Sequence, residues 1–153
     1  MHVRYQILEA IQKRLENVVA SVAGTVSLMR AGAVDEESQP HFTVLHTGET
    51  ATPDGLVYDD ESGQERVRYN RRLNVNVIVH FKGRSDPQKE FDQLAVLIEK
   101  ALPPSHLDDL AIDILLTASE MFIDPQTAQS LGSGRLIFEV TYRTYAGDAA
   151  RAA

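Results

Sequence analysis

The residue types that most often carry chemistry are thinly spread in this chain. There is no cysteine, which excludes thiolate metal centres, thiol catalysis and disulfide frameworks. The five histidines are His2, His41, His46, His80 and His106, and no two of them have metal-ligand spacing on a helix. His41 and His46 are five apart, so on a strand they point to opposite faces. Asp59-Asp60-Glu61 could suggest a cation site, but the alternating ligands and central glycine of a calcium loop are missing. Gly132-Ser133-Gly134 lacks the outer glycines of a nucleophile elbow, and no glycine-rich phosphate loop occurs. We therefore expect no catalytic residue, no metal and no cofactor.

The most pointed cluster is basic: Arg66, Arg68, Arg71 and Arg72 within one predicted strand, three of them on its wet face. Such a cluster can contact phosphates, receive an acidic protein partner, or solubilise an exposed strand. Net charge is −7, from 15 Lys+Arg against 22 Asp+Glu, which disfavours tight nucleic-acid binding. The outward residues beside the arginines are Asn, His and Lys, without the exposed aromatics of an RNA-reading sheet.

These residues must be positioned by a chain of 153 residues, the length of one domain, with 43% hydrophobic and 24% charged residues. No apolar run approaches the roughly 20 residues needed to span a bilayer. Val3, Ile7, Ile11, Leu15, Val18 and Val22 recur at helical spacing, and Gly24 is a candidate stop. A second helix opens at Ser85 or Asp86 with Pro87 in its first turn, buries Phe91, Leu94, Ile98 and Leu102, and ends before Pro103-Pro104.

The clearest strand has Leu73, Val75, Val77, Val79 and Phe81 on one parity and Arg72, Asn74, Asn76 and His80 on the other. Arg71 interrupts the apolar side. Other strands are predicted over 25–30, 42–48, 110–123 and 135–145, with 110–123 read as central and 131–134 as a loop. Residues 49–63, rich in turn formers, would make 42–82 a long projecting β-hairpin carrying the apolar island Leu56, Val57 and Tyr58. The expected fold is α+β, of order α-β-β-β-α-β-β, with an antiparallel sheet and both helices on one face. Residues 1–148 form the domain and 149–153 a flexible tail.

One resemblance covers nearly the whole chain. The opening helix has the form R-x-x-I-L-x-A-I-x-x-x-L at Arg4, Ile7, Leu8, Ala10, Ile11 and Leu15. A strand R-R-L-N-V-N-V-I-V runs from Arg71 to Val79. The second helix closes on Leu94, Ile98, Ala101 and Leu102, and the end reads F-E-V-T-Y-R-T-Y-A-G-D over residues 138–148. This order resembles bacteriophage minor tail proteins of the lambda tail-terminator type. The resemblance implies a homohexameric ring that caps the tail tube and joins the tail to the head-completion proteins of the neck. DNA would be passing cargo, and the location would be the virion tail-neck, after assembly in the host cytoplasm. Another neck component, such as a head-completion or head–tail adaptor protein, is the alternative; a small enzyme or ligand-binding domain is the third.

A closed ring of more than two subunits joins unlike surfaces. The expected patches are the basic face of Arg66, Arg68 and Arg72 and an acidic patch, either Asp35-Glu36-Glu37 or Asp59-Asp60-Glu61. Leu56, Val57 and Tyr58 would supply apolar burial.

Overall fold

The computed structural model describes residues 1–28, 40–82, 86–123 and 131–153. Helix α1 spans Val3–Val19 and helix α2 spans Pro87–Ala101. The strands are β1 (Thr25–Leu28), β2 (His41–Asp59), β3 (Gln64–Lys82), β4 (Asp113–Ile123), β5 (Leu131–Tyr145) and β6 (Asp148–Ala152). The fold is α+β with the expected element order, extended by one strand at the C-terminal end.

Helix α1 starts where the His2 side chain accepts a hydrogen bond from the Arg4 amide, 3.0 Å away. It buries Val3, Ile7, Leu8, Ile11, Leu15 and Val19. The left-handed residue that ends it, after a short 3-10 turn, is Ala23 rather than Gly24. Helix α2 is capped by Asp86, whose carboxylate accepts from the Lys89 amide at 3.1 Å, and buries Phe91, Leu94 and Ile98.

Sheet order is β1-β2-β3-β5-β4, with β6 added to β5. In register, Phe42 faces Val79, Val44 faces Val77, and Val77 faces Leu136 in turn. Partners in register point to the same face, so these residues form one continuous apolar surface. That surface and the buried stripes of both helices share one core, which includes Leu73, Val75, Phe81, Ile114, Phe138 and Val140.

Four expectations need correction. The sheet is mixed: β1 runs parallel to β2, and every other pairing is antiparallel. Alternation reports which face a residue occupies, not the direction of the neighbouring strand. Strand β4, read as central from its consecutive apolar residues, is an edge strand that among the described residues pairs only with β5. The 149–153 tail is strand β6, with Thr144 opposite Ala152 and Tyr145 opposite Asp148.

The glycine-rich segment at 131–134 is strand, not loop. A Cβ on Gly134 would sit 2.2 Å from the Phe91 ring, and one on Gly132 would sit 2.4 Å from the Phe81 ring. These glycines therefore let the two rings approach the sheet backbone instead of making a turn.

The long hairpin is present, and it is more regular than expected. Strand β2 passes through Pro53 and Asp54-Gly55 with a register shift between Pro53 and Leu56. A bulge on an unpaired strand edge accommodates proline without losing ladder hydrogen bonds. Strand β3 pairs with β5 only from Arg68 onward, so residues 56–59 and 64–67 extend past the rest of the sheet.

Candidate assembly surfaces and a buried polar cluster

The charged residues expected to meet across subunits meet within one chain. Arg66 lies 3.3 Å from the Asp59 carboxylate, and Arg151 of β6 lies 2.5 Å from the same group and also pairs with Glu61. Arg68 and Arg143 both reach Asp54, at 2.9 and 3.2 Å. Asp59 is 1% exposed. Burial would raise its pKa, but hydrogen bonds from Ser62, Arg151 and the Glu61 amide, with the Arg151 charge, lower it to about 2. Thus the hairpin tip is clasped to the C-terminal strand.

Of the remaining residues in the two patches, Arg72 and Asp60 are exposed and make no ion pair among the described residues. Asp35, Glu36 and Glu37 lie outside the described residues. Arg66, Arg68, Asp59 and Glu61 thus already have ion-pair partners within the chain.

The apolar island behaves differently. Leu56 is 64% and Tyr58 63% exposed, on the face of the sheet that forms the core further along, with half-exposed Val67 opposite Leu56. Val57 points to the other face. At the far side of the sheet, edge strand β4 exposes Leu115, Leu116 and Phe122, at 47%, 40% and 53%. Phe122 lies under the Arg135 guanidinium, which pairs with Glu120 at 2.6 Å. The two ends of the sheet are therefore both apolar and exposed, but unlike in shape: one a hairpin arm, the other a strand edge unpaired among the described residues.

Sequence reading missed a second feature, a polar cluster where the core ends. Glu49 stands in register with Leu73, and Ala51 with Arg71, on the core face. The Glu49 carboxylate accepts from Arg71 at 3.0 Å, from Arg4 of α1 at 3.2 Å, and from the Tyr142 hydroxyl. Arg71 also donates to Thr144 Oγ1 at 2.8 Å. Burial and the Glu49 hydrogen bond push the Tyr142 hydroxyl far up from its ordinary pKa. The available signal was Arg71 itself: a charge on an apolar strand face needs a buried counter-charge.

Beside this cluster, His2, Arg4, Tyr5, Leu8 and His46 line a cavity of about 230 Å³. His46 Nδ1 is buried without a hydrogen-bond partner among the described residues. Burial, then the Arg4 charge, lower the pKa of both His2 and His46, against an opposing contribution from Glu49. Among the described residues no three His, Cys, Asp or Glu side chains cluster as a metal site would require. No described helix is long and apolar enough to cross a membrane.

The chain matches no known protein-family model and no curated protein.

Proposed function

We propose that this protein is a structural assembly subunit of the phage tail-terminator kind. It self-associates into a ring, a hexamer by the resemblance, that caps the tail tube and contacts the head-completion protein, with DNA passing through. The observation that carries this reading is the pair of unlike apolar surfaces at opposite ends of one sheet. A ring about a single axis joins one patch to a different patch on the next copy. An open β-strand edge bearing Leu115 and Phe122 offers backbone hydrogen bonds and burial together. An arm bearing Leu56 and Tyr58 offers a second apolar surface for a neighbouring copy.

Because Arg66, Arg68 and Arg71 are paired within the chain, burial of these apolar residues supplies the affinity. Exposed charges such as Arg72 contribute only about 0–1 kcal/mol each. Light scattering with negative-stain microscopy tests the ring, and mixing with tail-tube protein tests the cap. The expected results are closed rings and tubes of limited length. A strict monomer at high concentration, with no effect on tube growth, would overturn the proposal.

A further inference from the structure

We infer that the cavity between the start of α1 and the middle of β2 is a binding site for a small free oxyanion of phosphate or carboxylate chemistry. This inference does not rest on the assembly reading. The wall carries donors at Arg4 and His2. His2 Nδ1 accepts from the Arg4 amide at 3.0 Å, so a neutral His2 ring keeps its proton on Nε2. Arg4 uses Nη1 for Glu49, at 3.2 Å, and its other guanidinium N–H groups have no partner among the described residues; its side chain is one-third exposed. His46 and Tyr5 complete the lining, and the buried His46 Nδ1 has no hydrogen-bond partner among the described residues. Leu8 is the apolar floor.

The Glu49 carboxylate beside this wall is taken up by Arg71, Arg4 and Tyr142. Two guanidinium groups on one carboxylate leave the cluster net positive in a chain of net charge −7. Spare guanidinium N–H groups and a surplus positive charge beside a cavity favour a ligand that accepts hydrogen bonds and carries negative charge. An oxyanion of phosphate or acetate size fits within about 230 Å³.

The test is an NMR titration of the full chain with sodium phosphate, and separately with sodium acetate, at ionic strength held constant with sodium chloride. Expected are saturable shifts confined to His2, Arg4, Tyr5 and His46. The ring pKa values of His2 and His46 should rise as the bound anion offsets Arg4 and adds to Glu49; Arg71 and the terminal amine also act on His2. Arg4→Gln should weaken binding about tenfold or more, as loss of a charge-assisted hydrogen bond does. Arg4 also holds Glu49, so His46→Gln is the second variant: it leaves the Glu49 hydrogen bonds in place and should weaken binding comparably. Saturation by phosphate alone or acetate alone sustains the site and names its ligand. Shifts that grow linearly with concentration, that chloride reproduces, or that survive His46→Gln would overturn it.

Discussion

Arg71 and Glu49 form an ion pair at 3.0 Å on the same sheet face that buries Leu73, one position further along. The pair marks where the hydrophobic core stops and a hydrogen-bonded polar layer begins. Arg71, Arg4 and the Tyr142 hydroxyl all depend on one carboxylate that is 10% exposed.

Removing that carboxylate leaves two cations and a hydroxyl without their acceptor. Breaking a buried pair from one side costs about 3–5 kcal/mol. Glu49→Ala should therefore lower unfolding stability by about that amount in urea denaturation. A change below about 0.5 kcal/mol, as is usual at surface positions, would mean that solvent holds these groups equally well.

The core faces make a sharper prediction. Val77 and Leu94 lie in the shared core of sheet and helices. Leu94→Ala should cost about 2–5 kcal/mol, and Val77→Asp, a buried unpaired charge, should abolish the folded state. Circular dichroism melting checks both, and an unchanged melting temperature for Val77→Asp would reverse the assignment of strand faces.

Glycine substitutions should separate close approach from empty space. An alanine Cβ at Gly134 meets the Phe91 ring at 2.2 Å and the Glu120 carbonyl at 2.8 Å, while nothing lies within 4 Å at Gly48. Gly134→Ala should destabilise by about 1–3 kcal/mol through overpacking, and Gly48→Ala should be nearly neutral. Equal melting temperatures for the two variants would contradict the packing of α2 on β5.

The tip clasp should fail in acid. Asp59 has a folded pKa of about 2, below its ordinary 3.8. A depressed carboxylate pKa stabilises above the unfolded value, and that stability is lost as pH falls through the folded value. Amide signals of residues 59–64 should therefore stay constant above pH 4 and change between about pH 4 and 2. Arg151→Ala should move the Asp59 midpoint upward. A midpoint unaffected by that substitution would remove Arg151 from the clasp.

Assembly can be tested by mixing variants. Leu56→Arg with Tyr58→Asp damages the arm, and Leu115→Arg with Phe122→Arg damages the β4 edge. All four residues are exposed, so each monomer should keep its stability within about 0.5 kcal/mol. Each variant alone should fail to form rings. A mixture of the two should stop at dimers, because one intact patch of each kind remains. Rings from either variant alone would exclude that end of the sheet from the interface.

The sequence alone determined the two helices and the buried face of the central strand. Apolar spacing placed α1 and α2, and strict alternation placed Leu73 through Phe81 on the core side. Those patterns are local, because side-chain periodicity follows from the geometry of one helix or one strand. Only the tertiary structure decided that β1 runs parallel to β2 and that β4 lies at the edge. It alone brought Arg151 to Asp59 and Arg71 and Arg4 to Glu49. Glu49 and Arg4 are 45 residues apart, and Arg151 and Asp59 are 92 apart, so no local pattern connects them. The basic and acidic patches were legible as charges but not as partners, because pairing depends on strand register and on the path of the chain after Tyr145.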